Sequence, residues 1–458
     1  MAALFAVANS LGAFRDKSVT ERLRLLFRNI VYNLRGGFLV RPLTIALALG
    51  CAGALLSWVE ESYPAFARWE PRVLFLSRVG DPQVSQVILA GIAASIMTVV
   101  SIVFAILLMT LTLASMQFSP RIIVSFSRDR VTQWTLGIFL GTFLYCMDAL
   151  PAAHSLPQPF APVATVTVAI FLAIACVGLL LFFIHHISQA ISVNHIVARI
   201  ASETELVIDD VMPLPRLQTR IERSGEADLA AWNAPIPSTE SGYVRFVDTG
   251  RLLDLATVSH VKVRVLRRVG QFVPERTPLL MVYKPERLSA ERISEFRNVF
   301  DLGPSRTLQQ DIEFGVLQIV DIALKAISPA VNDPTTAISC VDQLSRLVIR
   351  FLSREMPEPF LYDLKGVARV YIGRIDLDRL LDSAFEQIRM YSKADIAVSM
   401  RLLRAYGDIA STTEDIVLRK TLLQRARRVV AGCEHRVDME ELKPMLVRLT
   451  ALERLVAV

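Results

Sequence analysis

The sequence has few cysteines and histidines, and none of them forms a metal-binding pattern. Its 458 residues include five cysteines and six histidines, without a Cys-x-x-Cys pair or a Cys/His cluster. A structural zinc site needs about four such ligands at close spacing. The sequence therefore predicts no metal site, no bound cofactor and no disulfide framework.

Familiar catalytic signatures are also missing. The chain contains no Gly-x-Gly-x-x-Gly, no phosphate-binding Gly-Lys-Ser/Thr loop, no His-Glu-x-x-His and no Gly-x-Ser-x-Gly. Each of these patterns places backbone amides, metal ligands or a nucleophile where a reaction needs them. We expect this protein not to be an enzyme.

Four long stretches in the first 190 residues contain at most one charged residue each. A helix of about 20 apolar residues crosses the hydrocarbon core of a bilayer, which is roughly 30 Å thick. These stretches therefore predict four transmembrane helices, with the lipid bilayer as partner. The predicted spans are Phe38–Val59, Gln86–Met116, Thr132–Leu150 and Pro162–Ile184.

Basic residues are concentrated on one side of these spans. Six Lys and Arg residues precede the first span and Arg41 lies near its start, while Arg121, Arg128 and Arg130 separate the second from the third. The loop 60–85 balances three arginines with four acidic residues, and the loop 149–161 has no Lys or Arg. The positive-inside rule then places both termini in the cytoplasm. Because +5 of the net charge of +6 lies in the part of the chain with the apolar segments, we expect no nucleic-acid partner.

The residues after the fourth span are predicted to form a mixed region. Alternation of Val261, Val263 and Val265 with charged residues is typical of a half-buried strand, whereas apolar residues at three- and four-residue intervals after Ser289 indicate helices. The predicted fold class is a mixed membrane protein with a four-helix α transmembrane domain, a small β-barrel or sandwich module and an α-helical cytoplasmic domain. Its predicted segments are a transmembrane domain (1–190), a helix extension and linker (191–239), the β module (240–285) and the helical domain (286–458).

The second span carries a stripe of small and hydroxylated residues. Spacings of three and four keep them on one face of a helix. Such a face allows close helix packing, or it lines a water-filled pore, and both alternatives stay open. The pore-lining candidates are Thr98, Ser101, Thr112 and Ser115.

Ionisable residues cluster where the spans end. Arg121, Arg128 and Arg130 either anchor helices at anionic headgroups or form an electropositive ring that attracts anions. His185 and His186 end the fourth span. Histidine titrates near neutral pH, so this pair is a candidate for a pH gate as well as for ordinary interfacial placement.

Two motifs distinguish the helical region. The first is Arg-Thr-Leu-Gln-Gln-Asp at 306–311, which begins with Arg306 and ends with Asp311. The second is Ser-Pro-Ala-Val-Asn-Asp-Pro-Thr-Thr at 328–336, which contains Asn332 and Asp333. Asp333 followed by proline predicts an N-cap and the first position of a new helix. The functional alternative is a small-ligand site in which free helix amides hold an anion.

Several blocks of the sequence together resemble a bacterial family of predicted membrane proteins, domain of unknown function 2254. They include Ala-Ser-Met-Gln-Phe-Ser-Pro-Arg at 114–121, Arg-Asp-Arg at 128–130, Leu-Gly-Ile-Phe-Leu-Gly-Thr-Phe at 136–143, Phe-Ile-His-His-Ile at 183–187, Phe-Gly-Val-Leu-Gln-Ile-Val-Asp-Ile-Ala-Leu at 314–324 and Ser-Pro-Ala-Val-Asn-Asp-Pro-Thr-Thr-Ala at 328–337. Relatives often have Ala-Ser-Ser-Gln where this chain has Ala-Ser-Met-Gln. The resemblance implies a bacterial inner-membrane protein and carries over no catalytic residue.

Two functions are consistent with these features. The first is a homo-oligomeric ion channel or conductance protein, with the second span along the path and the cytoplasmic modules forming a vestibule. That order of elements is similar to the order in small-conductance mechanosensitive channels. The second is a membrane-tethered sensor or scaffold whose cytoplasmic domain binds a ligand or partner.

Overall fold

The chain forms two compact units. One contains the residues up to Ile191, and the other contains Ser192–Val458 together with residues 117–119. We call them the membrane unit and the C-terminal unit. The computed structural model describes residues 40–63, 81–117, 129–154, 159–190, 192–212, 234–373, 375–393, 395–434 and 438–457, with the backbone alone at 113–117 and 190.

Four long apolar helices make up the described part of the membrane unit. They provide stretches of 23, 31, 23 and 27 residues, the third together with the 3₁₀ turn after it, that are long and apolar enough to cross a membrane, which confirms the four predicted spans. A short 3₁₀ turn, Leu150–Ala152, follows the third helix. The helices are α1 (Val40–Ser62), α2 (Pro82–Gln117), α3 (Arg130–Ala149) and α4 (Val163–Ala190).

Helices α1 and α3 pack closely through glycines on both sides. A Cβ atom on Gly53 of α1 would lie 2.7 Å from the carbonyl oxygen of Tyr145. On α3, a Cβ atom on Gly141 would lie 2.5 Å from Cδ1 of Leu49. Small residues let helix backbones approach in a membrane, where helix association depends on packing. The glycines therefore explain why these two helices lie together.

Helices α2 and α4 complete the packing around α3. Val103 of α2, Phe139 of α3 and Phe183 of α4 are fully buried in one apolar cluster. Large side chains such as Phe171 and Leu181 of α4 face outward, with exposed fractions of 65% and 67%. An outward apolar surface of this kind suits contact with lipid.

The C-terminal unit contains two open β-sheets. Their strands are ordered β1-β5-β3-β8-β7 and β4-β2-β6, and β3 runs parallel to β8, whereas the other pairs are antiparallel. Because neither sheet closes, the predicted barrel or sandwich is not confirmed. The strands are β1 (Ala234–Pro237), β2 (Gly242–Val247), β3 (Lys262–Val265), β4 (Phe272–Val273), β5 (Pro278–Tyr283), β6 (Phe300–Gly303), β7 (Phe360–Tyr362) and β8 (Ala368–Ile372).

Two features of this region differ from the prediction. Strands β6, β7 and β8 lie in the predicted helical domain, 286–458, so that region is mixed rather than purely helical. Thr249–Val258, within the predicted β module, is a helix, and Asp248 caps it by accepting from the amide of Arg251. Both sheets contribute to one core, which includes Val244 of β2 and Val263 of β3.

Helices surround this core in the described part of the C-terminal unit. A π-helical stretch, Asp382–Glu386, joins α10 to α11. The last helix contains Pro444. The helices are α5 (Val193–Val211), α6 (Thr249–Val258), α7 (Ala290–Arg297), α8 (Ile312–Ala326), α9 (Pro334–Leu352), α10 (Leu377–Leu381), α11 (Gln387–Tyr391), α12 (Ile396–Ser411), α13 (Ile416–Cys433) and α14 (Met439–Ala457), with a 3₁₀ turn at Pro285–Arg287.

Candidate functional site

A cavity of about 390 Å³ lies in the C-terminal unit, beside the carboxyl ends of the parallel strands β3 and β8. Val265 and Ile372, the last residues of these strands, contribute to its wall. The first turns of α8 and α10 face it from the other side, through Glu313 and Arg379. Pockets of this size are common for small ligands. This cavity is therefore a candidate site for a small ligand.

A tight turn after β3 presents Arg268 to the cavity. The amide of Gln271 donates to the carbonyl of Arg268 at 3.2 Å, and the side-chain oxygen of Gln271 accepts from the amide of Arg268 at 3.0 Å. Gly270 occupies the third position of this turn with φ of +86°. Only glycine adopts that conformation at little cost, so the sequence Arg-Val-Gly-Gln favours this turn.

The turn rests on a buried ion pair between Arg306 and Asp311. Nε and Nη2 of Arg306 donate to the two carboxylate oxygens at 2.8 and 2.9 Å, and the side chains are 15% and 3% exposed. Burial disfavours the charged guanidinium, but hydrogen bonds to Asp311 outweigh that effect and raise the pKa of Arg306. Asp311 also caps α8 by accepting from the amide of Phe314 at 3.0 Å.

A second ion pair connects α8 to α10. Arg379 donates to Glu313 through Nε and Nη2 at 3.1 and 3.2 Å, and the hydroxyl of Ser383 donates to the same carboxylate at 2.9 Å. Arg306 approaches Glu313 at 3.6 Å as well. These contacts hold the first turns of α8 and α10 together on the helical side of the cavity.

The predicted residues of the helical region fall at opposite ends of α8. Asp311 lines the cavity and Arg306 supports it from behind. Asn332 and Asp333 follow the other end of α8, whose 15 residues span about 22 Å. The structure therefore does not bring the two motifs together.

Asp333 fulfils the role of an N-cap. Its carboxylate accepts from the amide and the hydroxyl of Thr336, at 3.1 and 2.5 Å, and these bonds lower the pKa of Asp333. The preceding residue, Asn332, adopts a left-handed φ of +49°. The amide of Asp333 donates to the carbonyl of Ala326 at 2.8 Å, which closes the end of α8. One of the helix amides that an anion would use is already occupied by the cap.

Three of the four predicted pore-lining residues share the exposed face of α2. Thr98, Ser101 and Thr112 are exposed, and each hydroxyl donates to the carbonyl four residues earlier, at 3.1, 3.0 and 2.8 Å. The side chain of Ser115 lies outside the described residues. The opposite face of α2, including Val103, is buried in the helix bundle.

Asp129 and His186 connect the start of α3 to the end of α4. Asp129 caps α3 by accepting from the amide of Thr132 at 2.9 Å, and its carboxylate lies 3.0 Å from Nε2 of His186. His185 instead lies 3.1 Å from the side-chain nitrogen of Gln189. Arg130 is exposed, whereas Arg121 and Arg128 lie outside the described residues.

Comparison with known proteins identifies the family. Residues 35–408 match the model of the family described as predicted membrane protein, domain of unknown function 2254. The chain belongs to this family. It is 29% identical over 442 residues to uncharacterised proteins of Mycobacterium bovis and Mycobacterium tuberculosis, and the matched residues cover 94% of this chain and 82% of each relative. No solved structure matches it.

Two functional features of this family member were not predicted. Glu60 is 1% exposed at the end of α1 and binds the start of α4. An acidic residue in the last turn of an apolar helix is the signal that could have indicated it. Arg268 and Gly270 gave no signal of their own, because their role depends on Arg306 and Asp311, more than 30 residues later. Among the described residues, no group of His, Cys, Asp or Glu side chains could hold a metal ion.

Proposed function

We propose that the protein is a homo-oligomeric ion channel or conductance protein of the bacterial inner membrane, in which α2 of each copy faces a shared water-filled path. In this proposal it has no enzymatic activity, and its partners are the bilayer and further copies of the same chain. The observation that carries the proposal is the outward position of the small, hydroxylated face of α2.

The exposed surfaces of α2 and α4 differ in chemistry. On α4, Phe171, Ile174 and Leu181 point outward, and their large apolar side chains suit lipid tails. On α2, large apolar side chains such as Ile102 and Met109 are exposed as well, but the outward surface also includes the stripe with Thr98 and Ser101. Small and hydroxylated residues gain little against lipid but favour contact with another helix or with water. The stripe therefore supports an oligomer in which α2 is central.

The hydroxyl groups of the stripe suit a wet, uncharged path. Each donates its hydrogen to its own helix, which leaves oxygen lone pairs that accept from water or coordinate a cation. Arg130 is exposed beyond the cytoplasmic end of α2 in the proposed orientation, and with Arg121 and Arg128 it would supply an electropositive ring at the mouth of the path. Such a ring attracts anions to the vestibule.

Single-channel measurement tests the proposal. Purified protein in a planar bilayer should give currents of fixed unit size, and native mass spectrometry should give a mass of several copies. Ser101→Trp should reduce the unit conductance because it fills the path. Val177→Trp, on the 62% exposed face of α4, is the matched control and should leave the conductance unchanged. A folded, reconstituted protein without currents, or equal currents in the two variants, would contradict the proposal.

The proposed orientation has both termini in the cytoplasm. The arginine asymmetry between the loops supports it. A membrane-impermeant thiol reagent added to intact spheroplasts should label a cysteine at Ser155, between α3 and α4, and should not label one at Lys284. The native cysteines are replaced first. Labelling of the Lys284 variant would reverse the proposed orientation.

A membrane-tethered sensor is the second candidate function, and the cavity beside β3 and β8 favours it. A binding cavity on a membrane-anchored unit allows a small ligand to control the protein or its partners. Native mass spectrometry of the full chain, released from its membrane under gentle conditions, should then show a retained small molecule. Its absence, together with failure of every member of a broad metabolite collection to raise the melting temperature, would contradict this candidate.

A further inference from the structure

The cavity beside Arg268 has a wall of aliphatic side chains. Val265, Val269, Leu361, Ile372 and Leu380 contribute to it. Among the described residues that line the cavity none is aromatic. Nucleobases are usually bound by stacking on aromatic rings, so this wall suits an aliphatic or alicyclic body better than a base.

The carboxylates at the cavity are largely committed to other groups. Asp311 and Glu313 form the ion pairs with arginines described above. Asp376 caps α10 by accepting from the first amides of that helix. Glu358 also has a partner, which leaves Asp210 as a carboxylate at the exposed end of α5. Four of the five carboxylates among the described lining residues are therefore held by partners within the protein.

Two consecutive arginines at the cavity, Arg267 and Arg268, form no ion pair with any carboxylate among the described residues. Arg267 uses only Nε, which donates to the carbonyl of Pro278 at 3.3 Å. The guanidinium of Arg268 has no hydrogen-bonding or ion-pair partner among the residues that the structure describes, and its backbone amide is held by Gln271. Guanidinium groups are donors only and pair well with carboxylates and phosphates. The cavity therefore has unused positive charge beside its aliphatic wall.

We propose that this cavity binds a small amphipathic organic anion, whose carboxylate or phosphate group pairs with Arg267 and Arg268 while its apolar body lies against the aliphatic wall. The inference rests on the sensor function proposed above and names its ligand class. An apolar pocket with a few convergent polar groups is the usual form of a small-molecule site.

The backbone of the turn that carries Arg268 is set before the ligand arrives. Gly270 packs directly on the ion pair of Arg306 and Asp311, and a Cβ atom there would come within 2.7 Å of Nη2 of Arg306. The amide of Gly270 also donates to the carbonyl of Val244 at 2.8 Å. A site held in place by its supporting residues loses less free energy on binding than one that must be ordered.

Isothermal titration calorimetry on the full chain in phosphatidylcholine nanodiscs tests the inference. The probes are hexanoate, hexyl phosphate and the neutral hexan-1-ol, with empty nanodiscs subtracted. We expect the two anions to bind and hexan-1-ol not to bind. Arg267→Gln and Arg268→Gln should each weaken anion binding about tenfold or more, and Arg268→Lys should restore part of it.

Arg276→Gln is the matched control. Arg276 has a 90% exposed side chain and does not line the cavity, so its replacement removes the same charge from the same unit without touching the site. Binding should be unchanged in this variant. Equal affinity for hexan-1-ol and hexanoate, no binding of either anion, or equal effects of Arg268→Gln and Arg276→Gln would overturn the inference.

Two further measurements are needed. One distinguishes a lipid ligand from a water-soluble ligand, and the other distinguishes failure of the anion inference from failure of the sensor function. Phosphatidate in the nanodiscs lowers the affinity for hexyl phosphate if a lipid headgroup occupies the cavity, and leaves it unchanged if the natural ligand is a water-soluble anion. Failure of both anions while native mass spectrometry finds a retained neutral molecule overturns the anion inference alone. Failure of both anions with no retained molecule and no stabilising metabolite contradicts the sensor function as well.

Discussion

The carboxylate of Glu60 accepts two hydrogen bonds from Thr165, from its backbone amide at 2.8 Å and from its hydroxyl at 2.6 Å. A third comes from the amide of Ala164 at 2.7 Å. The end of α1 thereby satisfies the amides at the start of α4, which have no partner within their own helix. In a membrane protein an unpaired backbone amide is costly, so this contact orders one end of the helix bundle.

We expect Glu60→Ala to destabilise the protein by about 1–3 kcal/mol, because buried donors on α4 lose their acceptor. Glu60→Gln should be intermediate, since the amide side chain keeps one acceptor oxygen. Glu61→Ala is the control, because Glu61 is an exposed neighbour, and it should change stability little. Intrinsic tryptophan fluorescence during heating of the detergent-solubilised protein measures the three melting temperatures. Equal effects at Glu60 and Glu61 would contradict the proposed role.

The close contact of α1 with α3 predicts a contrast between two glycines. Gly53→Ala places a methyl group against the backbone of Tyr145, which cannot move away alone, and should cost about 1–3 kcal/mol. Gly178→Ala on α4 meets nothing within 4 Å and should leave stability unchanged or higher. The same thermal measurement compares them. A tolerated Gly53→Ala would mean that the two helices are not held by this contact.

The turn that carries Arg268 predicts a second contrast. Gly270→Ala combines a left-handed φ with a clash against Arg306 and Asp311, and should destabilise the turn by about 1–3 kcal/mol. Gly407→Ala, in open space on α12, should stabilise by about 0.4–1 kcal/mol. Hydrogen exchange of the full chain should show faster exchange around the turn and the start of α8 for Gly270→Ala. Unchanged exchange there would argue against the support described for Arg268.

The membrane helices could be predicted from the sequence because their signal is local. The uncharged run Gln86–Met116 is enough by itself to predict a transmembrane helix, because insertion into lipid depends on the composition of about 20 consecutive residues. The cap at Asp333 was equally local: it needs only an aspartate before a proline and a hydroxyl three residues on.

The sheets could not be predicted to the same extent because their pairing is not local. Val263 of β3 pairs with Val370 of β8, more than 100 residues later, and no pattern near either residue specifies the other. The cavity has the same origin. Arg306 and Asp311 were identified as candidates, but the turn they support lies in another part of the chain. Long-range placement of this kind follows from packing rather than from periodicity.

Asp333 predicts a pH-dependent contribution to stability. Asp333→Ala should cost about 0.5–2 kcal/mol at neutral pH, and Asp333→Asn should retain most of the cap. Because the bonds from Thr336 lower the folded-state pKa of Asp333, its contribution is present above the unfolded pKa of about 3.9 and is lost as pH falls through the folded value. The advantage of the native residue over Asn should therefore decrease below about pH 4. Denaturant unfolding at several pH values measures it, and a constant difference would contradict the cap.

The stripe on α2 predicts a periodic pattern of thiol reactivity. In a chain whose native cysteines are replaced by Ala or Ser, Thr98→Cys, Ser101→Cys and Thr112→Cys should react with a small charged thiosulfonate, because the proposed path contains water. Val103→Cys and Leu107→Cys should be protected, since Val103 is fully buried and Leu107 is partly buried on the opposite side. The helical period of 100° per residue places the two sets on different faces.

The pattern of that reactivity also distinguishes the path from its two alternatives. A cysteine at Val177, which faces outward on α4, reports on lipid and should stay protected because hydrocarbon excludes the charged reagent. If α2 packs tightly against other helices, its stripe will be as unreactive as Val177→Cys. Uniform protection along α2 would therefore contradict the conducting path and favour the tethered sensor, whereas reactivity confined to Thr98, Ser101 and Thr112 would identify the wall of the pore.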